Sequence, residues 1–305
     1  MKHIFVGALL MAVAAVASAQ TRPFTLGVSL PSDTNPFNIE VKRGIEAKAK
    51  ELGWNVVYVS ANEVVAAQND GIGDLIARKV DAIMVSPIDS IAVAPSYDAA
   101  ARAQIPIISV VRTVKSRNQK VAVTGNFVRI GSDTASWVAT ALNGRGTVAM
   151  ISGPAGADLF RDFSNGFESG IKNNPGISVV FKKEGPITRE FGLRMAEDIL
   201  VAYPDISAIY CGNDETALGA AQAVAAAGKQ GKIVITGANA VPAALRAVSS
   251  GAISMTVDFQ PVAWGSRGVA TLDRMIKGET LAPIVEIDYA MIDKSNVAQR
   301  IPMVN

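Results

Sequence analysis

Adjacent amide and carboxylate side chains lie in the stretch Ala208–Ala220, AIYCGNDETALGA. The apolar run that opens this stretch is typical of a buried strand, and a helical pattern follows from Thr216. In an open α/β sheet such a turn lies at the carboxyl end of a strand, where ligands bind. Asn213 and Asp214 could therefore hydrogen-bond the hydroxyl groups of a ligand, or one of them could simply cap the next helix.

A second candidate follows the first predicted strand, in the segment Asn35-Pro36-Phe37. Asn before Pro is a typical helix start, because Asn caps the helix and Pro suits its first position. Phe37 could cover the apolar face of a sugar while Asn35 bonds a hydroxyl group. The alternative is an ordinary capped helix with Phe37 in the core.

Two arginines also follow predicted strands. Arg112 ends the run Ile107–Val111, and its rigid fork of donors could hold an oxygen-rich ligand. Arg161 lies in the first turn of a helix, after a glycine-rich loop that fits neither nucleotide-binding glycine pattern. The alternatives are a surface loop for Arg112 and a solvated helix face for Arg161.

The chain holds one histidine, His3, which lies in a predicted signal sequence and would be lost with it, and one cysteine, Cys211. A Ser-His-Asp arrangement and a zinc site built from His or Cys are therefore excluded. We expect no catalytic residues, no metal and no cofactor, although a hydrolase or lyase that relies on carboxylates remains an alternative. Cys211 ends an apolar strand and is expected to be a small buried filler.

Residues 1–19 have the pattern of a secretory signal. Lys2 gives the positive start, the segment Ile4–Ala17 is apolar, and Ala17-Ser18-Ala19 is a small-residue cleavage site. Removal of Lys2 leaves 28 basic against 27 acidic residues. A nearly neutral chain without basic runs predicts no nucleic-acid partner.

Short apolar runs alternate with helix-length segments along the remaining chain, which predicts doubly wound α/β layers. The pattern breaks at Thr124-Gly125-Asn126 and at Asp258-Phe259-Gln260-Pro261, and the strand-like run Ile284–Ile292 would return across the hinge. We therefore expect an N-terminal lobe of residues 20–125 and 260–288. The C-terminal lobe would hold residues 126–259 and 289–305.

Several motifs, in their order and spacing, resemble the periplasmic sugar-binding proteins of the ribose-binding type, with a LacI-like core. The matching pieces are Asn35-Pro36-Phe37, Ser86-Pro87-Ile88-Asp89-Ser90, Arg112, the segment from Gly153 through Arg161 to Phe167, and the segment Asn213–Ala220. The resemblance implies two Rossmann-like lobes that are joined by a three-strand hinge and close on a ligand. It also implies a periplasmic location after cleavage behind Ala19.

The same resemblance implies the roles of the candidate residues. Asn35 and Phe37 would contact the ligand from the first lobe, and Arg112 would bind it near the hinge. Arg161 and Asn213 would contact it from the second lobe. Asp214 would cap or support the helix that follows it.

This chain departs from the sugar-binding pattern at four places, one of which is a second-lobe aromatic that is replaced near Ile187-Thr188-Arg189. Val111 and Asn239 stand where sugar binders usually carry Asp, and Phe259 stands where many carry Gln or Asn, with Gln260 next to it. Asn239, Phe259 and Gln260 are therefore added to the predicted ligand-binding residues.

These departures remove carboxylates but retain Arg112 and Arg161. Unless Asp33, Asp214 or Asp258 compensates, the pocket becomes more positive and more apolar. Because carboxylates accept charge-assisted hydrogen bonds from sugar hydroxyls, their loss favours a ligand other than a standard pyranose. A sugar acid, a small polyol or another compact oxygenated molecule is expected.

The sequence thus predicts a monomeric, non-enzymatic receptor that delivers its ligand to an ABC permease in the inner membrane. The alternative is a periplasmic sensor whose closed form binds a histidine kinase or chemoreceptor through the same pocket. A repressor is excluded, because a signal sequence rather than a helix-turn-helix precedes the first strand.

Overall fold

The computed structural model describes residues 22–301. The predicted signal sequence and its cleavage site lie outside this range. The strands are β1 (Thr25–Leu30), β2 (Asn55–Ser60), β3 (Ala82–Val85), β4 (Ile107–Val111), β5 (Ala122–Thr124), β6 (Gly146–Ser152), β7 (Ile177–Glu184), β8 (Ala208–Cys211), β9 (Val234–Ala238), β10 (Met255–Asp258), β11 (Ile284–Glu286) and β12 (Ala290–Asp293). The helices are α1 (Pro36–Glu51), α2 (Val65–Ala77), α3 (Ala94–Arg102), α4 (Phe127–Ala141), α5 (Asp158–Lys172), α6 (Arg189–Ala202), α7 (Asp214–Ala226), α8 (Pro242–Ser250) and α9 (Pro261–Ile276).

The strands form two six-stranded sheets, which define two lobes. The first sheet has the order β11-β5-β4-β3-β1-β2, and the second has the order β12-β10-β9-β8-β6-β7. All pairs are parallel except β10 with β12. Strands β3, β4, β8 and β10 are buried along their whole length, as expected of parallel strands covered on both faces.

The chain passes between the sheets three times. The first passage follows β5, the second follows β10, and the third joins β11 to β12. Helix α4 packs on α5 of the second lobe, whereas α9 packs on α1 of the first lobe. The sequence predicted one strand-like run over Ile284–Ile292, but the structure divides it into two short strands because each pairs with a different sheet.

Three helix pairs approach closely because glycines face each other where the helices meet. Gly44 of α1 and Gly265 of α9 form one such pair, and Gly192 of α6 and Gly219 of α7 form another. A Cβ atom at any of these four positions would overlap a backbone atom of the partner helix. Gly131 and Gly166 have the same role between α4 and α5. The glycines therefore set how tightly the helices cover the sheets.

Candidate functional site

A cavity lies between the lobes, at the carboxyl ends of strands from both sheets. The space not filled by atoms within it, including space open to solvent, is ≈ 510 Å³. The first lobe contributes Asn35, Phe37, Asn38, Ser86, Val111, Arg112 and Trp264 to the lining. The second lobe contributes Phe127, Leu159, Phe160, Phe163, Ile187, Gly212, Asn213 and Asn239. Phe259 lies at a crossover between the lobes.

Two asparagines at the cavity also start helices. The Oδ1 atom of Asn35 accepts a hydrogen bond of 3.0 Å from the Phe37 N–H and caps α1. The Oδ1 atom of Asn213 accepts one of 3.0 Å from the Thr216 N–H and caps α7, while its Nδ2 atom donates to the Ile187 carbonyl at 3.3 Å. The capping and cavity-lining roles, which the sequence set against each other, are therefore compatible in both residues.

Asp214 stabilises the site without lining the cavity. Its carboxylate accepts hydrogen bonds from the Val241 N–H at 2.8 Å and from the Thr256 hydroxyl at 2.6 Å. Burial raises the pKa of Asp214 to about 7, although these two hydrogen bonds oppose the shift. The expected supporting role fits these contacts, but the cap of α7 is Asn213, because the side chain of Asp214 points towards α8 and β10.

A tight turn at the end of β4 positions Arg112. Val111 has a φ of 68°, and the Arg112 N–H donates to the Val110 carbonyl at 2.8 Å, two residues back. A β-branched residue in this left-handed region is strained. The turn sends the side chain of Arg112 into the cavity, where 5% of the residue remains exposed.

The guanidinium of Arg112 has few partners in the protein. Its Nη1 atom donates to the Pro87 carbonyl at 3.4 Å, and its Cζ atom lies 5.5 Å from the centroid of the Phe160 ring. Burial lowers the pKa of Arg112, while the negative charges of Glu63 and Asp158 act in the opposite direction. Gly153 provides the room for the Phe160 ring, because a Cβ atom there would meet it.

Aromatic rings from both lobes meet at the cavity. Phe37 and Trp264 of the first lobe lie 6.4 Å apart, centroid to centroid, and Phe127 of the second lobe lies 6.1 Å from Trp264. Phe259 stands edge-on to Phe127 at 5.7 Å and to Phe163 at 6.4 Å. These rings give the cavity an apolar wall that could cover the C–H face of a ligand.

Hydrogen bonds join the lobes beside the cavity. The Ser90 N–H of the first lobe donates to the Gly156 carbonyl of the second at 3.0 Å. The hydroxyl group of Thr113 donates to the carboxylate of Asp158, which also accepts a bond of 2.8 Å from the Leu159 N–H. The structure therefore represents a closed arrangement of the two lobes.

Six of the eight residues predicted from the sequence line this cavity. They are Asn35, Phe37, Arg112, Asn213, Asn239 and Phe259. Arg161 lies outside its lining and donates from Nη1 to the Ala155 carbonyl at 3.1 Å. Gln260 has a φ of 53° at the start of α9 and lines a neighbouring groove, where Asp258 pairs with Arg300 at 3.2 Å.

Sequence reasoning missed several residues of the lining. The aromatic residues Phe160, Phe163 and Trp264 have the pattern of ordinary core residues of amphipathic helices. Only their place near the starts of α5 and α9 could have indicated the cavity. Asn38 lies one turn below the cap of α1 and is buried, which is unusual for Asn outside a site.

Residues 22–301 hold no group of three or more His, Cys, Asp or Glu side chains placed to bind a metal ion. Over the same residues, no helix combines the length and the apolar character needed to cross a membrane.

The model of the periplasmic binding protein domain family matches residues 26–280. The chain belongs to this family. The resemblance to the ribose-binding type is also confirmed at the level of individual relatives. The ribose import binding protein RbsB of Haemophilus influenzae is 31% identical over 284 residues, which cover 93% of this chain and 95% of the relative. RbsB of Bacillus subtilis is 30% identical over 262 residues, with coverage of 86% and 85%.

A solved periplasmic binding protein has the same architecture. The component of the arabinose ABC transporter from Shewanella sp. ANA-3, bound to L-arabinofuranose, superposes with a TM-score of 0.88 at 26% identity. The match covers 92% of this chain and 95% of that protein. The expected α/β class with two lobes is thereby confirmed, and so is the expectation of a binding protein rather than an enzyme.

Proposed function

We propose that this periplasmic binding protein is the receptor of an ABC importer and that it binds a sugar or sugar-like ligand in the cavity between its lobes. The observation that carries the proposal is the lining itself, in which amide and guanidinium donors from both lobes face one apolar aromatic wall. The names of the relatives, which are import-binding proteins for ribose and arabinose, support the same activity.

Each lobe would supply a distinct part of the recognition. Asn35 and Arg112 would bond ligand oxygens from the first lobe, and Asn213 and Asn239 would bond them from the second. Phe37 and the other rings would cover the C–H groups of the ligand. Because both lobes must touch the ligand, binding favours the closed form, in which Ser90 meets Gly156 and Thr113 meets Asp158.

The mature protein would act in the periplasm, after export through the predicted signal at residues 1–19. It would be a monomer that presents its closed form to the permease of the importer.

A thermal-shift and calorimetry panel tests this proposal. The mature protein is titrated with pentoses, hexoses, cyclic and linear polyols, and the corresponding sugar acids. At least one member should bind at a single site and raise the melting temperature, because a ligand that binds only the folded form stabilises it by mass action. Failure of every member to bind would contradict the proposal, whereas turnover of a bound member would contradict the assignment as a receptor.

A further inference from the structure

The charge of the cavity is unusual for a site that binds hydroxyl groups. Among the described residues that line it, Arg112 is the one charged side chain, and no carboxylate is present. The three acidic residues that could have compensated lie elsewhere. Asp33 is an exposed residue beside a different pocket, Asp214 is bonded to Val241 and Thr256, and Asp258 pairs with Arg300.

The guanidinium of Arg112 is buried without a matching set of acceptors. It carries five N–H donors, and within residues 22–301 it makes one hydrogen bond, the 3.4 Å contact with the Pro87 carbonyl. No ion pair joins it to a carboxylate within residues 22–301. The carboxylate of Asp158 is already engaged by Thr113 and Leu159. The negative charges of Glu63 and Asp158 offset part of the cost of burying this charge, but neither forms an ion pair with it, so a ligand carboxylate would supply the missing direct partner.

Two further features of the lining point to an anion. The first turns of α1 and α5 and the cap of α7 border the cavity, so the partial positive charges of three helix ends converge on it. The hydroxyl group of Ser86 is buried in the lining and has no hydrogen-bond partner in the described protein. A ligand oxygen placed near Arg112 could accept from this hydroxyl as well.

We propose that the ligand carries a single carboxylate, which binds the guanidinium of Arg112, and that the physiological ligand is therefore a compact hydroxy acid such as an aldonic or uronic acid. This inference rests on the function proposed above. The planar fork of Arg matches a carboxylate with two parallel hydrogen bonds. One cation balances a monoanion, whereas a phosphate ester, which carries nearly two negative charges at neutral pH, would meet no second basic side chain in the lining.

The rest of the lining fits the remainder of such a molecule. Asn35, Asn213 and Asn239 offer amide groups to its hydroxyls, and the aromatic wall covers its C–H groups. The carboxylate would lie at the end of the cavity where Arg112 rests on Phe160.

Matched ligand pairs test the inference by calorimetry on the mature wild-type protein. The pairs are D-galacturonate with D-galactose, D-gluconate with D-glucitol, and D-ribonate with D-ribose. In at least one pair the acid should bind about tenfold or more tightly than its neutral partner, as expected for a charge-assisted pair of hydrogen bonds. Glucose 6-phosphate should bind more weakly than the best acid.

Variants at and beside Arg112 test whether the carboxylate of the ligand binds this residue. Arg112→Met should remove the preference for the acid, and Arg112→Lys, which keeps the charge but not the fork, should retain part of it. Val111→Asp, which adds a carboxylate beside Arg112, should shift the preference towards the neutral partner. Arg102→Met, at an exposed position of α3, is the matched control and should bind like the wild type. Circular dichroism and melting temperatures check the folding of each variant.

The titrations of the wild-type protein alone distinguish failure of the carboxylate inference from failure of the proposed function. If neutral sugars bind the wild type as tightly as the acids, the carboxylate inference is overturned and the receptor function stands. If the phosphate ester binds best, the inference is also overturned, because the anion is of another class. If no acid and no neutral compound binds, the proposed function fails together with the inference.

Discussion

At the scale of single residues, the turn after β8 shows how one short sequence serves two purposes. Asn213 caps α7 and lines the cavity, while Asp214 turns away and joins α7 to the start of α8 and to β10. Gly237 makes this possible, because a Cβ atom there would meet the carboxylate of Asp214. The support of the second-lobe wall therefore depends on a carboxylate that does not line the cavity.

The raised pKa of Asp214 predicts a pH-dependent contribution to stability. Its pKa is about 7 in the folded protein, against an ordinary value of about 3.9 when unfolded. The folded state therefore holds the proton more tightly, so this contribution is fully present below pH 4 and is lost as pH rises towards and through 7.

Comparison with Asp214→Asn isolates this contribution. The wild type should lose up to a few kcal/mol of unfolding free energy between pH 4.5 and 7.5 relative to the variant, since one pKa unit corresponds to about 1.4 kcal/mol. Urea unfolding of both proteins at the two pH values measures the difference. Parallel pH dependence in the two proteins would contradict the assignment.

The predictability of the site also depends on single residues. Arg161 was predicted to reach the ligand from the resemblance to the ribose-binding type, whereas the residue of this turn that lines the cavity is its neighbour Phe160. Successive residues of a helix point about 100° apart, and the sequence alone does not tell which of two neighbours faces the cleft. The positions of Asn35 and Asn213 as helix caps were predictable, because each lies between a predicted strand and the helix that follows it.

At the scale of elements, the helix pairs depend on their glycines. Gly44 in α1 lies against the Val262 carbonyl, where a Cβ atom would overlap it, whereas nothing lies within 4 Å of a Cβ atom at Gly73 in α2. The two glycines belong to consecutive helices of the same lobe, so they form a matched pair for substitution by Ala.

We expect Gly44→Ala to lower the unfolding free energy by about 1–3 kcal/mol, because α9 must move away from α1. Gly73→Ala should raise it by about 0.5–1 kcal/mol, because Ala favours the helix and meets no neighbour. Chemical denaturation measures both values. Equal effects of the two substitutions would show that the close approach of α1 and α9 contributes nothing.

Most elements were predictable because consecutive apolar residues mark buried parallel strands and helical periods separate them. Strand β4 and strand β8 occur at the predicted residues. The run Ile284–Ile292 was interpreted as one strand, since an apolar pattern does not reveal that Ile284 pairs with Ala122 in one sheet and Met291 with Val257 in the other. That division is a property of the hinge rather than of local sequence.

At the scale of the whole molecule, several contacts cross between the lobes. They include the aromatic contact of Trp264 with Phe127, the guanidinium of Arg112 over the Phe160 ring, the bond from Ser90 to Gly156, and the bond from Thr113 to Asp158. The two hydrogen-bonded contacts involve loop residues of the first lobe, Ser90 and Thr113, so they can separate when the lobes open. A ligand held by both lobes would stabilise this closed arrangement at the expense of the open one.

Small-angle X-ray scattering with and without a saturating ligand, chosen as the tightest binder in calorimetry, tests this account most directly. The unliganded protein should have a larger radius of gyration than the closed structure, and the saturated protein should scatter as the closed structure does. An unchanged profile at full saturation would contradict binding between the lobes, because a ligand held by one lobe alone gives no reason for closure.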